Sequence, residues 1–74
     1  MIRVKYLGFL PDITGRLEDE VDAREAVVRE IVDPRVLEVT GGDLVVLVNG
    51  LPSSLDTKVR DGDTVALLPH IGGG

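Results

Sequence analysis

Cysteine is absent from this chain, and that one omission removes a wide range of chemistry. Neither a disulfide framework nor a thiolate zinc site can assist the fold. The ordinary protein thiol is also missing as nucleophile, redox centre or sulfur-bearing group. Tryptophan is missing too, and Tyr6, Phe9 and the single histidine, His70, are the only residues whose rings could stack on a base. They form no stacking platform recognisable from sequence. One histidine is too few for a histidine metal cluster and does not secure a Ser-His-Asp triad. No Gly-rich loop joins a strand to a helix, and no Lys-Ser or Lys-Thr pair offers the cradle that a nucleotide requires.

Basic charge is scarce and scattered. Eight Lys and Arg stand against thirteen Asp and Glu, for a net charge of −5, whereas nucleic-acid binding needs a concentrated basic face to displace counterions. The start, Met1-Ile2-Arg3-Val4-Lys5, alternates apolar with charged residues and lacks the continuous apolar segment of a signal peptide or membrane span. The expectation is a soluble cytoplasmic protein with neither nucleic acid nor membrane as partner. Its 74 residues make one small domain, and 43% hydrophobic composition lets the core hold it unaided.

Ile2, Val4 and Tyr6 alternate with Arg3, Lys5 and Leu7, the period-two pattern of a strand with one buried face. Residues 8–15, with Pro11 and Asp12 inside, read as a loop, and residues 17–21 as a returning strand. The acidic run Glu18-Asp19-Glu20 reads as a solvated edge. Asp22 and Glu25 have capping-box spacing, and Val27, Val28, Ile31 and Val32 share one helical face, so a helix is expected from Asp22 to about Val32, where Asp33-Pro34 stops it. The many β-branched residues leave a strand over residues 26–32 as the competing reading.

Gly41-Gly42-Asp43 marks a turn, and Leu44–Val48 is a continuous apolar run expected to form the central strand. Asn49-Gly50 is a favoured hairpin turn, since both residues tolerate positive φ, and Leu51–Ser53 then forms a short edge strand. Residues 55–59 read as a helical turn, Asp61-Gly62 as a tight turn, and residues 64–68 as the last strand, running into Pro69. Asp61 and Asp63 flank Gly62 without the ligand series of a calcium loop.

This order defines an α+β domain of β-grasp, or ubiquitin-like, type: a mixed sheet of four to five strands packed on one helix over residues 1–69, followed by a flexible C-terminal Gly tail over residues 70–74. One helix covers one sheet face only. Counting by twos from Val65 and Leu67 puts Leu68 outward, and the count from Ile2, Val4 and Tyr6 puts Leu7 outward. Both are candidates for a partner-binding patch; coverage by a loop or a second copy is the alternative.

The exclusions leave the carboxylate at the end of Gly72-Gly73-Gly74. A carboxylate is a poor electrophile, but an acyl adenylate supplies a leaving group and lets sulfur or an amine attack. A partner must perform that step, threading the chain end to its ATP, and glycines allow the close backbone approach. Attack by a sulfur donor leaves a thiocarboxylate on Gly74, so a cysteine-free protein can still carry sulfur. A frayed, inert terminus is the competing reading.

Val48-Asn49 before a turn, Asp61-Gly62-Asp63 before the last strand, and Leu68-Pro69 followed by Ile71 and Gly73-Gly74 together resemble the MoaD/ThiS family of ubiquitin-like sulfur carriers, in particular the small subunit of molybdopterin synthase. The resemblance implies a carrier subunit or cosubstrate rather than a catalyst. Gly74 would be adenylated and converted to the thiocarboxylate, Gly72 and Gly73 would thread, and Leu7 and Leu68, with Pro69 and Ile71, would meet partners. No cofactor would be bound by the chain itself, ATP being used by the activating partner. The implied partners are an E1-like adenylating enzyme, a sulfur donor and the molybdopterin synthase large subunit. Conjugation of Gly74 to lysines of target proteins, and sulfur delivery to thiamine or tRNA, remain open alternatives, as does a β-grasp interaction domain with an inert tail.

Overall fold

A computed structural model describes residues Met1–His70. The alternating start forms β1 (Ile2–Tyr6), with Ile2, Val4 and Tyr6 buried and Arg3 and Lys5 exposed. A short helix α1 (Leu10–Thr14) follows, then β2 (Glu18–Val21) returns antiparallel to β1 with Val4 opposite Asp19. β3 (Glu25–Val27), α2 (Val28–Ile31) and α3 (Pro34–Thr40) lead into β4 (Leu44–Val48) and β5 (Leu51–Ser53). β6 (Lys58–Arg60) and β7 (Thr64–Pro69) complete the fold.

Five strands make the main sheet in the order β2-β1-β7-β4-β5, and β3 pairs with β6 in a separate two-stranded sheet. β7 lies in the middle, parallel to β1 and antiparallel to β4. The class is therefore α+β with a mixed sheet, as expected. The central position is taken by β7, however, and not by β4. The apolar run of β4 suits a strand beside the centre whose outer face is itself apolar, because Val45 and Leu47 alternate with buried Val46.

The helical layer differs from the single helix expected over residues 22–32. Glu25–Val27 is extended and pairs with Lys58–Arg60, setting Ala26 opposite Val59. Only Val28–Ile31 closes into a helical turn, begun where the Glu30 carboxylate accepts the Val27 N–H at 2.9 Å. β-branched residues lower helical preference enough for tertiary pairing to decide. Asp33-Pro34 ends that turn and also starts α3. The Asp33 side chain caps the Arg35 N–H at 2.9 Å and Pro34 occupies the first turn, where its missing N–H costs nothing. The expected loop over residues 8–15 contains α1, and the expected helical turn over residues 55–59 is a tight turn leading into β6.

Between the sheet and these short helices lies one core. Ile2, Val4 and Tyr6 of β1, Val46 of β4, and Val65 and Leu67 of β7 meet Leu10, Val28, Val32, Val36, Leu55 and Val59. At about 1.5–3 kcal/mol for each fully buried side chain, this cluster supplies the main stabilisation.

Candidate functional site

β7 carries the chain through the middle of the sheet and delivers it to the sheet's end at Pro69. Its pleat separates two sets of side chains. Val65 and Leu67 are buried in the core, while Ala66 and Leu68 lie on the open face. Register builds that face across the strands: Ala66 lies beside Lys5 and Leu47, and Leu68 beside Val45. Leu7 and Val45 are exposed, and Phe9, two residues beyond Leu7, is more exposed than either.

An apolar surface of Leu7, Val45, Leu47, Ala66 and Leu68 therefore adjoins the point where the chain leaves the sheet. Toward the β2 edge the face becomes charged, with Arg3 hydrogen-bonded to Glu20 at 3.3 Å and Lys5 opposite Glu18. Leu7 and Leu68 both stand on the open face. Phe9 carries no alternation signal in the sequence, because it stands past the end of β1, between Gly8 and Leu10.

Pro69, expected among the partner-contacting residues, is buried. Its ring lies against Gly8, so it shapes the end of the strand rather than offering a surface. Beyond it the His70 N–H approaches the Asp43 carbonyl at 3.5 Å, and His70 Nδ1 stands 3.8 Å from Asp43 Oδ1, an ion pair when the imidazole is protonated. Ile71, Gly72, Gly73 and Gly74 lie outside the described residues.

Two polar assemblies brace this strand. The Asn49 Nδ2 donates to Asp63 Oδ1 at 2.9 Å, and Asn49 Oδ1 accepts the Thr64 N–H at 3.0 Å. Asp63 Oδ2 accepts the Arg60 N–H at 2.8 Å, and this bond, joined by Asn49, holds the Asp63 carboxyl below its ordinary range. The Val48-Asn49 and Asp61-Gly62-Asp63 motifs thus form one joint at the start of β7. On the helical side, the Tyr6 hydroxyl donates to Asp19 Oδ2 at 2.8 Å and accepts the Asp33 N–H at 3.1 Å. Burial, reinforced by Asp19, pushes the phenol up to about 12.

Arg16 joins Asp19 to Asp33 and lies over the Tyr6 ring, 5.6 Å from its centre. Arg35, 2.8 Å from Asp33 Oδ2, is the main reason that the Asp33 carboxyl sits well below the usual carboxylate range. Asp19 is therefore no solvated edge residue, as the middle position of an acidic run suggested. Pleat alternation turns it toward Tyr6.

Two small cavities lie among the described residues. One cavity of about 250 Å³ is lined by Met1, Arg3, Glu20, Gly62, Asp63 and Thr64, and another of about 210 Å³ lies among Glu25, Ala26, Val27, Glu30 and Lys58. Both fall below the usual range of ligand pockets, roughly 300–1,000 Å³. Among the described residues no group of three or more His, Cys, Asp or Glu could hold a metal ion, and no helix is long and apolar enough to cross a membrane. Among the described residues the accessible feature is the open sheet face, beside the point where Pro69 and His70 leave β7.

A β-grasp domain of this form, with an apolar sheet face at the exit of its last strand, is of the ubiquitin-like class. Residues 4–74 match the ThiS family, and the chain belongs to that family of small ubiquitin-like sulfur carriers. No curated protein matches it by sequence. Among solved structures, SAMP1 from Haloferax volcanii is similar at 25% identity and a TM-score of 0.70, over 99% of this chain and 98% of that one. A putative molybdopterin converting factor, subunit 1, from Pyrococcus furiosus is similar at 25% identity and a TM-score of 0.72, over 95% of this chain and 97% of that one. The third, from the BexX/CysO complex of Amycolatopsis orientalis, is similar at 27% identity and a TM-score of 0.66, over the whole of both chains.

Proposed function

We propose that this carrier delivers sulfur as a thiocarboxylate on Gly74, most directly for molybdopterin formation. The observation that carries the proposal is the family match running from residue 4 through the final glycines to residue 74. Similarity to the Pyrococcus furiosus converting-factor subunit favours the molybdopterin branch.

The chemistry proceeds on a partner. A Gly74 carboxylate oxygen attacks the α-phosphorus of ATP held by an E1-like adenylating enzyme, and pyrophosphate leaves. A sulfide-level donor then attacks the acyl carbon, AMP departs with the bonding pair, and the thiocarboxylate remains. Gly72 and Gly73 admit the chain to a narrow channel because they carry no Cβ. Leu7 and Leu68 dock on the activating enzyme and afterwards on the large subunit that receives the sulfur. The chain itself binds no ATP and catalyses neither step.

Intact-mass measurement tests this directly. After incubation with the cognate activating enzyme, ATP and a sulfur donor, one oxygen should be replaced by sulfur, and the change should map to the peptide ending at Gly74. An unchanged mass with a demonstrably active enzyme would overturn the proposal.

A further inference from the structure

Gly8 sits where β1 has ended and the chain turns beside the end of β7. The Leu7 N–H donates to the Leu67 carbonyl at 2.9 Å, carrying the parallel β1–β7 ladder one step past Tyr6. On the other side Leu44 stands opposite Pro69 in the last β4–β7 rung. Proline has no N–H to give that ladder, so packing takes the place of the bond its nitrogen would have donated. Gly8 supplies the packing surface: a Cβ built there would lie 2.9 Å from Pro69 Cδ and 3.0 Å from Cγ.

The other described glycines with positive φ separate conformation from space. Gly15 at +76°, Gly41 at +65°, Gly50 at +81° and Gly62 at +95° would each place a Cβ with nothing within 4 Å, and Gly42 would meet only Leu55 at an ordinary 3.7 Å. Gly8 at +60° alone combines the left-handed backbone with a blocked Cβ position. Its residue type therefore answers to Pro69 as well as to the turn.

We propose that Gly8 is a positioning residue for activation of the chain end: its bare backbone forms the seat of the Pro69 ring, and that seat sets the line along which the chain leaves β7. The inference rests on the proposed adenylation at Gly74. A side chain at position 8 displaces the ring and redirects the bond from Pro69 to His70, so that the segment a partner must take up leaves the docking face along another line.

The test is ATP–pyrophosphate exchange by the cognate activating enzyme with the carrier as varied substrate, alongside thermal melting. Gly15→Ala is the control, since it carries comparable left-handed strain without the contact. Gly8→Ala should lower kcat/KM for the carrier about tenfold or more, whereas Gly15→Ala should leave it near wild type at a similar loss of melting temperature. In a Pro69→Ala background, where Cγ and Cδ are gone, the added Gly8→Ala should cost no further activity. That double variant also serves should Gly8→Ala alone not fold. In the free protein, the His70 amide resonance should move in Gly8→Ala and stay in Gly15→Ala. Exchange equal in Gly8→Ala and Gly15→Ala, or a Gly8→Ala defect that persists with Ala at position 69, would overturn the inference while leaving adenylation intact. A wild-type carrier inert with an active enzyme would overturn both.

Discussion

Asn49 and Asp63 share a hydrogen bond of 2.9 Å that ties the β4–β5 turn to the start of β7. Asn49 also has φ of 51°, a left-handed backbone that asparagine tolerates better than most residues. Asn49→Ala removes both side-chain bonds and retains the unfavourable backbone, which predicts a loss of about 2–3 kcal/mol. Asn49→Gly relieves the backbone and loses only the bonds, so it should lie between. Urea denaturation of the three proteins gives the order, and equal midpoints for the alanine and glycine variants would count against the backbone contribution.

The acid limb of stability should depend on Asp33. Its carboxyl is buried, capped into α3 and paired with Arg35 and Arg16, and it titrates below the ordinary carboxylate value. A depressed carboxylate stabilises the fold above the unfolded-state value of about 4, and the contribution is lost as pH falls below it. Asp33→Asn keeps a good cap but removes the charge, so its stability should fall less steeply below about pH 4. Asp33→Ala also removes the cap and should cost about 2 kcal/mol at neutral pH. Denaturation midpoints against pH check both slopes.

Tyr6 offers a clean optical probe, being the only tyrosine in a chain without tryptophan. Its phenol should ionise near 12, against an ordinary value of about 10. A raised phenol value means stability that is complete below about 10 and lost as pH rises toward the folded value. In Asp19→Asn the ultraviolet titration should move part of the way back, since burial remains while the carboxylate acceptor is gone. Tyr6→Phe strands the Asp33 N–H and should cost about 1–3 kcal/mol, read from chemical denaturation.

Leu7 and Leu68 should matter to partners more than to the fold. Leu68→Asp places a charge in the open apolar face beside Val45, and binding to the activating enzyme should weaken at least about tenfold, as for a central interface contact. Calorimetric titration measures this, with circular dichroism verifying that the sheet persists. Tight binding by a folded Leu68→Asp protein would remove that residue from the docking surface.

Strands were legible in the sequence wherever period-two alternation or a favoured turn announced them. Ile2, Val4 and Tyr6, the Asn49-Gly50 turn and the run into Pro69 all stand where their patterns put them. The helical layer was not, because the deciding interactions are distant. Glu25–Val27 becomes a strand only through Lys58–Arg60, more than thirty residues on. Asp33-Pro34 carried both a stop and a start, and only the stop was read. At the candidate site, Leu7 and Leu68 followed from counting along single strands. The burial of Pro69 did not, since it depends on a missing side chain at Gly8 across the sheet.

β7 is the last of the described strands and the middle strand of the main sheet, with partners on both sides. Its pairing with β1 joins residues about sixty positions apart, Arg3 with Thr64 among them, a distant closure of the kind that slows folding. Until Thr64–Pro69 is in place the β1–β2 and β4–β5 pairs share no strand, so a substitution that weakens β7 pairing divides the sheet into two halves, whereas one at β2 or β5 only frays an edge.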